Sequence, residues 1–456
     1  MSASADSIVS HGLLFRLLRR IIEVQAEEVR ALGWSWLYFF SVLSAYYVIR
    51  PIRDEMGVAG GVSNLPWLFT GTLIGMMLAN PPFAALVARL PRVRFVSITY
   101  RFFIANLLLF FLLLQTTSGA HNIWVGRIFY IWTAVFNLFV VSVFWAFLVD
   151  IFTRAQGKRL FGFITAGGTL GGIAGSALTV SLVEYIGPTY LLLVSMVLLE
   201  AAVFSVRRLS RLSDALRVKR GLPEQDQVIG GGVLAGISHA LKSPYLLNIC
   251  LYMLLFTILS TFLYFQQAEI VDQTFTDRTV RTAFFGRIDL LVNLLTLGVQ
   301  IFLTGRTVKA LGVALTLTVV PVISVAGFFT LGLLPAVAVI VGFQVFRRAG
   351  NFAIARPARE ILFTVLPRED RYKAKNFIDT FVYRAGDQVG AWSYALMGVF
   401  GLGIAGTAFV AVPISIAWLL NGLWLGRRQE KLALGFASET ASTQSAPQIR
   451  PSPVVD

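Results

Sequence analysis

The 456-residue chain is 56% hydrophobic and only 14% charged, with a mean hydropathy of +0.72. Soluble domains carry about 25% charged residues, so a water-soluble globular fold is excluded and lipid is the implied solvent. The net charge of +15 does not point to nucleic acid, because a membrane protein gathers Lys and Arg on its cytoplasmic loops for topological reasons.

Residues 1–32 read as a cytoplasmic amphipathic segment. Leu13, Leu14, Leu17, Leu18 and Ile21 share one side and Arg16, Arg19, Arg20 and Glu23 the other, the pattern of a helix lying on a membrane surface. The charged stretch runs straight into a full-length apolar run with no small-residue cleavage site, unlike a cleavable signal. Apolar runs of about 20 residues, enough to cross a bilayer as helix, follow at 33–49, 65–88, 95–114, 123–149, 161–183 and 190–206. A basic stretch then intervenes, and six more runs lie at 245–266, 283–304, 311–332, 336–354, 377–400 and 404–425. Membrane-barrel strands would instead alternate over about 10 residues. The expected fold is therefore an all-α polytopic membrane protein of about twelve spans. Its halves are 33–206 and 244–426, separated by a cytoplasmic basic loop at 207–243, and a disordered cytoplasmic tail occupies 427–456. Lys and Arg crowd the loops on the side holding both termini, which places both in the cytoplasm.

The halves are related. PheSerValLeuSer at 40–44 matches PheThrIleLeuSer at 256–260, an offset of roughly 216 residues. Asn137 and Arg154 correspond to Asn351 and Arg368, and AlaGlyGlyThrLeuGly from Ala166 to AlaGlyAspGlnValGly from Ala385, at nearly the same spacing. A parallel repeat of two six-helix halves is the architecture of major-facilitator carriers.

Ionisable residues inside spans are expensive and face cavities or partners. Arg101, Arg127, Arg287, Arg347, Arg348 and Arg384 fall inside predicted spans with Asp289, Asp379 and Asp387. Arg50, Arg53, Asp54 and Glu55 cap the outer end of the first span, and Asp150, Arg356, Arg359 and Glu360 sit near cytoplasmic ends. Cations predominate, and guanidinium groups match carboxylate and phosphate bidentately, so a cationic midplane cavity for an anionic solute is expected. Arg101 and Arg127 lie where they can snorkel to the interface, and Arg384 with Asp387 has the spacing of a structural ion pair. Arg356, Arg359 and Glu360 align with Ser142, Trp145 and Ala146, so the fold itself does not require those charges. The glycines at 167, 168, 171, 172 and 175 read as close helix packing. His11, His121 and His239 lie in loops or at termini, and Cys250 is alone, so no metal site, cofactor or internal disulfide is expected. No enzyme motif is apparent, since no nucleophile, base and orienting group recur at credible spacings.

TyrTyrValIleArgProIleArgAspGlu at 46–55, the Asp150–Gly162 segment, AlaArgProAlaArgGlu at 355–360, LysAlaLysAsnPheIleAspThr at 373–380 and TyrArgAlaGlyAsp at 383–387 resemble the ATP/ADP antiporter family, a branch similar to the major facilitator superfamily. The resemblance implies nucleotide exchange by alternating access. It matches Arg50, Arg53 and Asp54 to the charged end of the first span, Arg359 and Glu360 to a Lys-Glu pair, and Asp379 and Arg384 to an Asp and an Arg. Asp387 stands where the nucleotide carriers have lysine, which weakens the case for a triphosphate. The chain is short at both ends beside plastid carriers and shows no transit peptide, which favours a bacterial inner membrane. The combined expectation is a monomeric carrier in a lipid bilayer, moving a nucleotide or phosphorylated metabolite. Arg50, Arg53, Arg287, Arg347, Arg348, Arg359 and Arg384 would contact the anion, with Asp54, Asp289, Glu360, Asp379 and Asp387 in coupling or charge balance. The competing readings are a carrier of another anionic metabolite and a membrane scaffold or sensor that retains a carrier fold.

Overall fold

The computed structural model describes residues 23–220, 243–366, 375 and 377–444. Most of the expected surface helix, much of the central loop, Lys373 and the end of the tail lie outside them.

The described residues form helices α1 (Val29–Ala59), α2 (Leu65–Arg89), α3 (Arg92–Thr116), α4 (Gly119–Ile151), α5 (Arg154–Arg220), α6 (Pro244–Thr274), α7 (Arg278–Phe302), α8 (Thr304–Leu333), α9 (Val337–Gly350), α10 (Arg356–Leu362), α11 (Tyr383–Val399) and α12 (Ile404–Gln444). Helix α5 is two spans. At 1.5 Å per residue its 67 residues would reach about 100 Å, three times a bilayer's hydrocarbon core, and Gly187 at φ 77°, followed by Pro188, folds it back on itself. Helix α9 continues through a π-helical turn, Asn351–Ala355, into α10, which makes one span of three pieces. A second π turn, Ile378–Val382, leads into α11. The chain thus crosses about twelve times, ten of the helical stretches being individually long and apolar enough to span.

Three boundaries differ from those expected. Helix α1 runs to Ala59 instead of ending near 49, because each charge beyond that point finds a partner on another helix and none is presented to lipid. Helix α5 carries the first half to Arg220, past 206. Helix α12 extends to Gln444, so 427–444 is helical where a disordered tail was expected; the span's ladder of backbone hydrogen bonds needs only one more bond per added residue once nucleated.

Each half has its own apolar core. One draws on α1 and α3–α5 and takes in only Ala283 from the other half. The second draws on α6–α12 and takes in Val58, Leu65, Leu68 and Tyr130. These shared residues all cluster near the end of α1, the start of α2 and the start of α7, so the halves are bolted together at that end.

Helices α1 and α5 touch backbone to backbone. A Cβ added at Gly171 or Gly175 would overlap the carbonyl oxygens of Phe40 and Ser44, and Ser44 Oγ donates to Gly171 O at 3.0 Å. In the second half Gly390 of α11 packs the same way on Ile258 and Thr261 of α6. The segments that match in sequence are therefore those that hold equivalent helices together in each half, the small-residue contact expected of helices that cannot use hydrophobicity to associate in lipid. Gly171→Ala is expected to lower stability by about 1–3 kcal/mol through overpacking, read as an earlier thermal midpoint in detergent. Gly298→Ala, where a Cβ meets nothing within 4 Å, should leave the midpoint unchanged or raised.

Candidate solute-binding cleft

Between the halves lies a cavity of about 250 Å³ whose wall includes Arg50, Tyr264, Asp289, Arg347, Arg348 and Asp387. Its centre is Asp289 of α7, 2% exposed. Arg50 Nη1 of α1 lies 3.1 Å from its Oδ1 and Arg348 Nη2 of α9 lies 2.8 Å from the same oxygen. One carboxylate thus holds guanidinium groups from both halves. Its second oxygen, Oδ2, accepts no hydrogen bond among the described residues.

One turn further along α1, Arg53 Nη1 reaches Asp54 Oδ1 at 3.1 Å. The Arg53 guanidinium also lies 3.9 Å over the Tyr130 ring, within the range where the ring quadrupole attracts a cation. Tyr264 donates from the second half to Asp54 Oδ1 at 3.0 Å, and Tyr130 donates to Tyr264 at 3.1 Å. Beyond this network Glu55, fully buried, receives both Nε and Nη2 of Arg278 at 3.1 Å. Around that end Trp67 packs edge-on against Trp392 at 4.8 Å, and Thr70 donates to Gln388 at 2.9 Å.

Arg347 is different in kind. It is 3% exposed and donates to Ser324 Oγ at 3.1 Å, Phe256 O at 3.1 Å and Ser260 Oγ at 2.9 Å. Its guanidinium lies over the Phe256 and Trp418 rings, 5.2 and 6.0 Å from their centroids. All of these partners are neutral, so a full positive charge sits buried at the cavity wall without a carboxylate partner among the described residues.

The structure brings together Arg50, Arg53, Asp54, Asp289, Arg347, Arg348 and Asp387, with Arg384 held to Asp387 at 3.1 Å. It does not bring Arg287 there. That guanidinium meets Glu184 at 3.3 Å with both side chains about 60% exposed, because residue 287 falls on a different face of α7 from residue 289. Arg359 faces Asp379 at 3.7 Å and Met253 Sδ at 2.9 Å, outside the cavity wall, and Glu360 pairs with Lys375 on the partly exposed flank.

Tyr130, Tyr264, Ser260 and Arg278 were not foreseen. Hydroxyls in apolar spans look like helix-packing groups, as most are here. The usable signal was the repeat: Ser44 ties α1 to α5, whereas Ser260, its counterpart, accepts from Arg347.

The sequence profile of the Major Facilitator Superfamily matches residues 32–371. No curated protein matches the sequence. Among solved structures, the fold is similar to a POT family transporter bound to a thioalcohol-conjugated peptide, with a TM-score of 0.59 at 10% identity over 88% of this chain and 96% of that one. It is similar to a bacterial homologue of the iron transporter ferroportin in an inward-facing state, with a TM-score of 0.57 at 16% identity over 88% and 98%. It is also similar to a bacterial homologue of the human lysosomal transporter Spinster, inward-facing and unoccupied, with a TM-score of 0.52 at 12% identity over 91% and 98%. At these identities the likeness carries the fold alone.

Removing the shared carboxylate should leave two buried cations facing one another. Asp289→Ala is expected to destabilise the protein by about 3–5 kcal/mol, and adding Arg348→Gln should recover part of that loss. Thermal midpoints of the two single variants and the double variant close the cycle; simple additivity would mean that the pair does not interact.

Proposed function

The chain belongs to the major facilitator superfamily, a family of transporters and not of enzymes, and we propose that this secondary transporter moves an organic anion by rocking its two halves about the central cleft. The observation that carries the reading is Arg347, a buried guanidinium whose hydrogen-bond partners are all neutral. An unpaired charge in the membrane interior is costly unless something completes it, and a solute carboxylate or phosphate beside Ser260 would do so. Counting the groups joined to the cavity, Arg50, Arg53, Arg347, Arg348 and Arg384 outnumber Asp54, Asp289 and Asp387, which supports an anion over a cation.

Asp289 is the charge-balancing group in this scheme. It offsets one of the two positive charges of Arg50 and Arg348 while the cleft is empty, and an incoming anion competes with it for both guanidiniums. Since those arginines come from opposite halves, the competition links occupancy to the position of the halves, as a differential affinity must if a ligand is to shift a conformational equilibrium. The polar and aromatic contacts near Glu55, Thr70 and Trp67 support closure at that end and a mouth at the other. With both termini on the cytoplasmic side of a bacterial inner membrane, the mouth opens inward.

Resemblance to ATP/ADP carriers implies nucleotide exchange. The cavity argues for something smaller, because about 250 Å³ falls below the ~300–1,000 Å³ of sites for drug-sized ligands, and Asp54 and Asp387 would repel a polyphosphate. A phosphorylated or carboxylated metabolite is the favoured solute, acting on a monomeric carrier.

Purified protein in liposomes should accumulate a labelled member of a panel of ATP, ADP, sugar phosphates and di- and tricarboxylates. Arg347→Gln is expected to reduce that uptake at least tenfold, while Arg287→Gln retains it. Equal uptake by both variants would overturn the anion site, and uptake of labelled ATP that requires internal nucleotide would favour nucleotide exchange over the smaller solute.

A further inference from the structure

A second cavity lies away from the cleft. It lies on the flank of the first half, about 530 Å³ in volume, between the start of α3 and the end of the returning arm of α5. The two helices run antiparallel in a constant register. Phe111 stacks edge-on against Tyr190 at 5.4 Å and Arg101 Nη2 meets Glu200 Oε1 at 2.9 Å, and the same register sets Arg94 opposite Arg207. Both line the cavity, with Pro91, Ser97, Ile98 and Arg101.

Arg101 is neutralised by Glu200. Arg94 and Arg207 are both exposed and make no ion pair among the described residues, so the groove is lined by two guanidiniums without a carboxylate partner there. An anion seated in the groove would meet both guanidiniums, which suit phosphate oxygens. Ser97 is buried, lines the same cavity and has no hydrogen-bond partner for its hydroxyl among the described residues. The first turn of α3 opens beside the cavity after Pro91 with no side-chain cap, so its leading amide groups have no helical acceptor. Toward the middle of the helices the walls become apolar and bare: Ile98 is 43% exposed, Phe102 60% and Phe204 48%.

We propose that this groove binds an anionic phospholipid, its headgroup phosphate held between Arg94 and Arg207 with Ser97 donating, and its acyl chains lying along Ile98, Phe102 and Phe204. Basic pockets between transmembrane helices at the cytoplasmic interface suit such headgroups. The apolar wall distinguishes a lipid from a soluble phosphate, which would gain nothing from it. The groove is separated from the cleft by the core of the first half, so its lipid and the transported solute are independent ligands.

The test uses the full chain in nanodiscs of phosphatidylcholine alone or with one part in four phosphatidylglycerol. The wild type should show a higher thermal midpoint with phosphatidylglycerol, and native mass spectrometry from an equimolar mixture should retain phosphatidylglycerol severalfold over phosphatidylcholine. Arg94→Gln with Arg207→Gln should lose both effects, with its midpoint in phosphatidylcholine unchanged, whereas Arg94→Lys with Arg207→Lys keeps most of each. Undiminished preference in the glutamine variant overturns the site. The same midpoint rise from inorganic phosphate in phosphatidylcholine overturns the lipid assignment. If the glutamine variant does not fold, equal retention of the two lipids by the wild type overturns the proposal on its own.

Discussion

A carboxylate shared by two guanidiniums, with water largely excluded, is the interaction on which the centre of this protein depends. Asp289 of α7 joins α1 and α9 through one carboxylate. In a low-dielectric interior such contacts are strong and their members are hard to leave bare. The surrounding layout follows from that constraint. Every charge that α1 carries beyond residue 49 is met from another helix: Arg50 by Asp289, Arg53 by the Tyr130 ring, Asp54 by Tyr264 and Glu55 by Arg278. The helix can therefore run on to Ala59 through Pro51 and a run of ionisable residues that would otherwise end a span.

The same constraint separates the arginines by what they do. Those with a carboxylate partner from within the same flank, such as Arg101 with Glu200, are satisfied by the fold. Arg50 and Arg348 share the Asp289 carboxylate, Arg50 with Asp54 also 3.9 Å away, and Arg347 depends on neutral oxygens and ring faces. Only the last two kinds gain by meeting a further anion, which is why the proposed solute site lies at the cavity centre and not wherever an arginine occurs.

Much of the architecture was legible because lipid imposes simple rules. Span number follows from apolar length, and the duplicated halves follow from PheSerValLeuSer and PheThrIleLeuSer, segments that prove to pack against the glycines of α5 and α11. The limits of legibility are equally physical. The end of α1 was misplaced because span prediction counts charges without knowing their partners. Arg287 was expected in the cavity because it falls inside a predicted span, yet it lies two residues from Asp289, about 200° of helical rotation, enough to send it to Glu184. The π turns at 351–355 and 378–382 leave no periodic trace, although insertions of this kind favour functional sites and the first places Asn351 and Phe352 on the cavity wall. Tyr130 and Tyr264 were missed because a tyrosine in a span looks like packing until its hydroxyl is seen to cross between the halves.

Carriers that alternate need a closed end that holds yet can open. The joint here suits that requirement. Few apolar residues cross from one core to the other, and a main polar contact at that end is the bidentate pair of Glu55 with Arg278, whose side chain is already 39% exposed. When the halves part at that end, both charges regain water, and the hydration recovered offsets most of the Coulomb attraction lost. A seam of equal area made from leucines would have no such compensation. Within each half the case is reversed, since α1 and α5 meet through glycines and carbonyls that no rigid-body motion needs to separate. The rigid contacts and the breakable ones are thus made from different chemistry, and the boundary between them is the plane about which the proposed rocking occurs.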